Sequence, residues 1–330
     1  MAKITFLAET GCLFSGIIGL IDAFSIANLW HQSMCGETVP PLFETEVVTA
    51  DGKPVPAHGG IPIHPHKSVN DVAETDMILI PPFLPHVEPL PRRLDELTDW
   101  ITVRYRDRTR IGALCTGAFV LAETGLLNGK IATTNWHFAR MFQRRYPQVR
   151  LKPERILTED DGLICSAAAS SFFNLGLHVI ETFGSPELAS VCSKALLVDP
   201  NRNSQAPYVI SDFFRDHTDA AILRAQTWME ENYTARFTID AVAGQIGISP
   251  RHFKRRFKKA TGESPLTYLQ RLRIEAAKKK LETTRENMNE ITWQIGYEDS
   301  SSFRRLFKKY TGLSPREYRE KFSRAGAVVN

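Results

Sequence analysis

Two kinds of residue in this 330-residue chain could do chemistry. The first is a thiol. Cys115 closes the run RIGALC (110–115) and is followed at once by TGAFVLAETGLL (116–127), so a buried strand runs directly into a helix. A Cys at such a step stands above the sheet edge at a helix N-terminus, where the helix dipole would lower its pKa and make it a candidate nucleophile. The second is a set of cationic groups. FKRRFKKATGESP (253–265) returns fifty positions later as FRRLFKKYTGLSP (303–315), with nine of thirteen residues identical. In each copy two Phe four apart share one helical face, and Lys and Arg lie on the other. Two copies of a short basic helix suit a ligand that repeats itself in space. Duplex DNA is the obvious candidate, since its major groove returns to one face roughly every 34 Å.

The elements around each copy fit that use. Upstream of the first, IDAVAGQIG (239–247) has apolar residues at helical spacing and a closing Gly suited to a left-handed cap. Ser249-Pro250 then supplies an N-cap and a Pro at the first helical position. Helix, Gly-containing turn and basic second helix make a helix-turn-helix. ITWQIGYEDSSSF (291–303) repeats the plan, with Asp299 or Ser300 as N-cap. Between the copies, 268–284 reads as one connecting helix.

Residues 220–322 resemble the AraC/XylS-type DNA-binding domain, through the endings Thr261 to Tyr268 and Thr311 to Tyr318 and the segment Ile295 to Tyr297. The resemblance implies two recognition helices in successive major-groove segments on one side of the DNA. It places base contacts at Arg251, Lys254 and Arg255 in the first, and at Ser300, Ser301, Arg304 and Arg305 in the second. Arg can pair bidentately with guanine, whereas Ser discriminates less. The first unit and Arg304/Arg305 are therefore expected to dominate specificity. Lys258, Lys259, Lys308 and Lys309 are expected at phosphates.

Charge is divided along the chain. From residue 219 onward there are 22 Lys and Arg against 13 Asp and Glu, a balance of +9, while the first 218 residues hold 19 against 24. A basic module tied to a mildly acidic body fits nucleic-acid binding by one part only. No signal-peptide pattern opens the chain, and no stretch approaches the roughly 20 apolar residues of a membrane span. The five cysteines are odd in number and lack metal-ligand spacing, which fits reduced thiols in a cytoplasm. No metal or cofactor is expected.

Strand and helix signals alternate through the first two hundred residues. KITFLAE (3–9), FETEVVTA (43–50), MILIPP (77–82), RIGALC, IATT (131–134) and GLICSAAAS (162–170) are strand-like. Helical patterns fall at 16–28, 93–107, 116–127, 135–146 and 172–184. The expectation is an α/β fold, a mostly parallel sheet with helices on both faces, and ligands in such sheets bind at the C-terminal ends of strands. Residues 112–138, 161–181 and the SQAPY string (204–208) make this region similar to the DJ-1/PfpI, or class I glutamine-amidotransferase-like, domain, a flavodoxin-like sandwich. With the C-terminal part it resembles the GlxA-type regulators. That resemblance implies a sensor domain over 1–200, a linker over 201–219 and a DNA-binding domain over 220–325. The effector it implies is a small nitrogenous metabolite, an amino acid, amine or quaternary amine.

Three departures from the related hydrolases argue against catalysis. The residue after the elbow Cys is Thr116 where they carry His, Ser15-Gly16 takes the place of a nearby carboxylate, and Pro81-Pro82-Phe83 replaces the Pro-Gly-Gly whose N–H serves the oxyanion. Their usual His two residues before His137 is Asn135 here. Three readings of Cys115 stay open: a pocket residue, an inert thiol, or a redox or catalytic group. Thr116, Asn135, His137 and Glu9 join it as candidate effector contacts, with Asp22 and Ser170 weaker and His178 expected to be structural. The expected whole is a cytoplasmic homodimeric regulator, not an enzyme, that binds a double-stranded operator and engages RNA polymerase, in the direction of activation. The rival is a Cys115-dependent amidohydrolase or glyoxalase-like enzyme joined to a DNA-binding module. A constitutive DNA-binding protein with a purely structural first domain is a third possibility.

Overall fold

The computed structural model describes residues 1–83, 94–211, 215 and 217–323. Arg93 of the expected helix 93–107 lies outside the described residues. So do Phe213, Phe214 and Asp216 of the segment FFRDHTD (213–219), expected to close the first domain, and residues 324–325 of the expected DNA-binding domain. The chain divides into two compact units, Met1–Gln205 and Ala206–Asn330.

The first unit begins with β1 (Ala2–Leu7), α1 (Phe14–Cys35), β2 (Phe43–Thr49), a hairpin of β3 (Val55–Pro56) and β4 (Pro62–Ile63), and β5 (Lys67–Ser68). It continues through β6 (Met77–Ile80), α2 (Leu94–Arg106), β7 (Arg110–Leu114), α3 (Gly117–Glu123), β8 (Ile131–Ala132) and α4 (Ala139–Arg145). It ends with β9 (Arg150–Leu151), β10 (Leu157–Asp160), β11 (Leu163–Ser166), α5 (Phe172–Phe183) and α6 (Pro186–Ala195). Seven strands form one sheet in the order β10-β11-β7-β6-β1-β2-β5, parallel throughout except for β10 against β11.

Alternation along the strands builds two cores. Ile4, Phe6, Met77 and Leu79 face α1, α5 and α6, where they meet Ile17, Leu20, Phe24, Leu175 and Ile180. Leu7, Ile78, Ile80 and Ile111 face the other way, toward Leu97, Ile101, Val120 and Phe142 of α2, α3 and α4. The expected parallel α/β fold is therefore present. Three details differ from expectation. Helix α3 stops at Glu123 because the chain turns at Gly125, φ 75°. The stretch 135–146 opens with a 3-10 turn (Trp136–Phe138) before α4. Strand β10, an edge strand carrying charged residues, gave no apolar alternation to read.

The second unit is helical: α7 (Ala220–Asn232), α8 (Ile239–Gln245), α9 (Pro250–Thr261), α10 (Pro265–Thr283), α11 (Met288–Gln294), α12 (Ser300–Thr311) and α13 (Pro315–Phe322). It has two cores. Phe253, Phe257, Tyr268, Leu269 and Leu272 join α7 and α8 in the first, and Ile274, Ala277, Leu281, Phe303, Phe307 and Tyr318 join α11 in the second. Helix α10 thus serves both. The repeated Thr-Gly-x-Ser-Pro-x-x-Tyr endings act alike in the two. Gly262 and Gly312 stop α9 and α12 at φ 83° and 74°, Thr261 and Thr311 donate to the carbonyls of Phe257 and Phe307 (2.8 and 2.9 Å), and Tyr268 and Tyr318 stack edge-on against the same Phe rings.

Parts of the expected linker 201–219 are held within one unit or the other. Residues 203–205 lie alongside 154–156, with Gln205 N–H donating to Glu154 O at 2.9 Å and Ile156 N–H to Asn203 O at 3.2 Å. Residues 206–208 already form a 3-10 turn of the second unit, where Tyr208 stacks at 5.3 Å on Phe322. Turn-forming composition signalled loops here, and backbone pairing secured them to the two units instead.

Candidate functional site

Cys115 leaves β7 with φ 54°, a left-handed step that aims its side chain above the sheet's C-terminal edge. Gly117 makes the step possible, because a Cβ there would stand 2.7 Å from the carbonyl oxygens of Ile80 and Pro81. The elbow shape is present, and its electrostatics differ from expectation. The thiol is 6% exposed, and its burial pushes its pKa up, against hydrogen bonds from the Asn135 side chain and from Thr116 that favour the thiolate. The expected lowering by the helix dipole is corrected on this point: desolvation outweighs the N-terminus of the seven-residue α3.

Thr116 is spent locally. Its hydroxyl accepts from Phe83 N–H at 2.8 Å and donates to Phe83 O. The one N–H that the Pro81-Pro82-Phe83 turn could offer to an oxyanion is thereby occupied, and Pro82 has none. Phe83 also bridges to Cys12, and Pro82 O accepts from Leu13 N–H at 2.7 Å, so the entry to α1 is tied to the same turn. A Cβ on Gly16 would lie 3.0 Å from the Pro82 ring, which leaves little space there for the carboxylate of the hydrolases.

Asn135 does two jobs. Its Oδ1 accepts from His137 N–H at 3.0 Å to cap the 3-10 turn, and its side chain reaches the Cys115 thiol. His137, the only imidazole expected nearby, is exposed, its ring edge-on to Trp136 and Phe138 rather than at the sulfur. Glu9 follows β1 and accepts from its neighbour Thr10 N–H at 2.7 Å. Its electrostatic effect falls on Cys12, whose thiol burial pushes up to about 11 with Glu9 adding to the rise. Cys115, Thr116 and Asn135 are therefore brought together, and His137 and Glu9 are not placed on the thiol. Asp22 is exposed on α1. Ser170 accepts from Arg202, and His178 pairs with Glu159 at 2.7 Å as a structural histidine would.

Sequence reasoning missed Thr134 and Gln205. Thr134 Oγ1 donates to Cys115 O at 2.8 Å, and buried Gln205 donates to Thr134 O, also at 2.8 Å. A buried Gln gives no periodic signal; the only hint lay in the SQAPY string.

In the second unit, α9 buries Phe253 and Phe257 and exposes Arg251, Lys254, Arg255, Lys258 and Lys259. Helix α12 buries Phe303 and Phe307 and exposes Ser301, Arg304, Arg305, Lys308 and Lys309. Residues three and four apart fall into one stripe, so each helix presents a cationic ridge of major-groove width. Lys254 pairs with Asp240 at 2.9 Å, both exposed, and Arg305 donates to Ser302 Oγ at 3.1 Å. Ser300 is half-buried and donates to Asn289 Oδ1 at 2.7 Å, fastening α12 to α11. The helices start differently. Asp299 caps α12 through Ser301 N–H and Ser302 N–H, whereas Ser249 makes no side-chain cap on α9.

Comparison with known proteins defines the class. Residues 38–182 match the DJ-1/PfpI family and residues 242–321 a helix-turn-helix domain. The chain is a DNA-binding transcription regulator, with a DJ-1/PfpI domain ahead of an AraC-type helix-turn-helix domain. The relatives it matches are named HTH-type transcriptional regulators. It is 26% identical over 322 residues to the HTH-type transcriptional regulator CdhR of Pseudomonas aeruginosa, covering 96% of this chain and 88% of that one. To the regulator GlxA of Rhizobium meliloti it is 26% identical over 223 residues, 63% of this chain and 67% of that one. Solved structures agree on the fold. An AraC family transcriptional regulator from Pseudomonas putida superposes with TM-score 0.51 at 19% identity, over 59% of this chain and all of that one. Drosophila melanogaster DJ-1beta gives 0.50 at 18%, over 60% and 98%.

Proposed function

We propose that this regulator responds to a small nitrogenous metabolite, an amino acid, amine or quaternary amine, bound above the Cys115 elbow of a catalytically degenerate domain. The observation that carries this reading is the reciprocal pair of hydrogen bonds between Thr116 and Phe83. Nucleophilic catalysis needs an activated thiol, a base and an oxyanion donor in reach of one another. Here the thiol is raised by burial, its side-chain partner is Asn135, and the donor at Phe83 is engaged. A polar amide beside a neutral thiol is suited to holding a ligand rather than turning one over. Asn135 and Cys115 are the contacts, while His137 and Glu9 serve at the rim.

The second unit reads the operator, with Arg251, Lys254, Arg255, Ser301, Arg304 and Arg305 at bases and Ser300 setting the angle of α12. The domains act as 1–200 sensor and 220–325 reader in a cytoplasmic homodimer that recruits RNA polymerase. No helix among the described residues is long and apolar enough to cross a membrane. Effector control requires unequal affinity for two arrangements of the protein.

A thermal-shift panel of amino acids, amines and quaternary ammonium compounds on the full chain tests the sensor. A ligand at a hundred times its Kd adds about 2.7 kcal/mol, several degrees of melting temperature. The expected hit disappears in Asn135→Ala and persists, weakened, in Cys115→Ala. Turnover of an amide or a 2-oxoaldehyde that is abolished in Cys115→Ala would establish the enzymatic rival instead.

A further inference from the structure

The last residue of the first unit is a polar side chain with almost no access to water. Gln205 is 1% exposed, and its amide is used in both directions. Its Nε2 donates to Thr134 O at 2.8 Å and to Arg155 O at 3.3 Å, and its Oε1 accepts from Trp136 N–H at 3.2 Å. The Thr134 to Trp136 loop is the one that holds Asn135 against the thiol, and Thr134 Oγ1 in turn grips Cys115 O. Backbone bonds of 203–205 run to 154–156, where Arg155 O also accepts from Thr133 Oγ1 at 2.9 Å, one residue short of this loop. The Gln205 side chain is therefore the direct tie between the 134–136 loop and the end of the unit.

The next residue begins the second unit. The turn Ala206–Tyr208 packs against recognition helix α12, Tyr208 stacks on Phe322 of α13, and Val209 O accepts from the ammonium of Lys278 on α10. Lys278 is 5% exposed and pairs with Glu275 at 3.0 Å, so this grip is a buried, charge-assisted one. A single peptide bond thus joins a residue clamped to the ligand loop to a turn clamped to the second helix-turn-helix.

We infer that Gln205 is the positioning residue that couples occupancy of the Cys115 elbow to the second helix-turn-helix, through the turn Ala206–Tyr208. The inference rests on the elbow being the effector site. A ligand that contacts Asn135 moves or stiffens the 134–136 loop. Because a buried Gln with all its partners made resists losing any one of them, the loop and residue 205 shift together.

Amide hydrogen exchange of the full chain reads this coupling with neither ligand nor operator. Asn135→Ala loosens the loop, and in an otherwise unaltered chain it is expected to speed exchange of peptides covering 206–211 by about tenfold. In a Gln205→Ala background those peptides start fast and the further increment is expected to vanish. Gln205→Glu keeps the acceptor for Trp136 N–H and loses both donated bonds, so it should fall between the two. If Gln205→Ala also frees the central strands β1 and β6, it has unfolded the unit, and the Gln205→Glu pair decides instead. Equal increments in the two backgrounds, or none in either, overturn the proposal. A ligand found elsewhere in the first unit would sink the elbow reading while leaving this exchange result standing, so the two failures are separable.

Discussion

Asn135 stands where a base would have to stand for Cys115 to work as a nucleophile. An amide neither takes up a proton nor carries charge, so it leaves burial to set the thiol, and the thiol stays neutral. In an alkylation series with iodoacetamide followed by peptide mass mapping, exposed Cys35 should label first. Cys115 should gain rate only above pH 9, since its pKa is raised from that value. Asn135→His, which offers an imidazolium partner, should move the Cys115 labelling midpoint to lower pH; an unchanged midpoint would show that the side chain at 135 does not govern the thiol. The position of Cys115 was legible from the strand-to-helix step alone. Its chemistry was not, because the elbow is held by Phe83 through Thr116 and by the 134–136 loop, itself tied by residue 205, all far apart in sequence.

The repeated segment teaches a related lesson about elements. It announced DNA binding, and most of its identical positions turn out to do folding work: two Phe in a core, Thr-Gly to stop one helix, Ser-Pro to start the next. The non-identical fourth position is structural as well, since Arg256 pairs with Asp219 at 2.5 Å and its counterpart Leu306 packs in the second core. The two turn glycines look interchangeable in sequence and are not. Gly247 (φ 71°) faces open space, whereas a Cβ on Gly296 (φ 82°) would stand 2.6 Å from Thr234 O. Gly247→Ala should cost about 1–2 kcal/mol for the left-handed backbone alone. Gly296→Ala should exceed about 3 kcal/mol in urea unfolding, and equal costs would show that Thr234 yields easily. Capping differs as well. Side-chain and backbone bonds from Ser302 and Ser301 hold the Asp299 carboxyl below the usual range. A depressed folded pKa means stabilisation that is full above the unfolded value and is lost as pH falls through the folded one. The stability gap between this chain and Asp299→Asn should hold steady above about pH 5 and narrow below about pH 4. Helix α9, whose Ser249 makes no side-chain cap, has no matching acid-sensitive bond at its N-cap.

At the scale of the molecule, the +9 and −5 halves predict how binding responds to salt. Nine Lys and Arg side chains are exposed on α9 and α12. If about six neutralise phosphates, log K should fall against log salt with a slope of about −5. Lys308→Ala should flatten that slope by about 0.9 at every sequence, whereas Arg305→Ala should cost about 1–3 kcal/mol and relax preference at one base pair. Competition titrations at several salt concentrations separate the two, and a Lys308 effect confined to one sequence would reverse their assigned roles. The α/β alternation and the helix-turn-helix plan were legible as patterns. The absence of a free linker at 201–211 was not, because it depends on pairing between residues about fifty apart in sequence and on one buried lysine.

Helix α10 contributes Tyr268, Leu269 and Leu272 to one core and Ile274, Ala277 and Leu281 to the other, an uninterrupted rod of 19 residues and about 28 Å. Such a rod acts as a ruler. Slipping one base pair between the two recognised segments turns them by about 35° and moves them by about 3.4 Å relative to each other. A helix shared by two cores has no joint with which to follow. The distance between the two DNA words is therefore part of what this protein spells, and a correct pair of words at the wrong spacing should read as a single one.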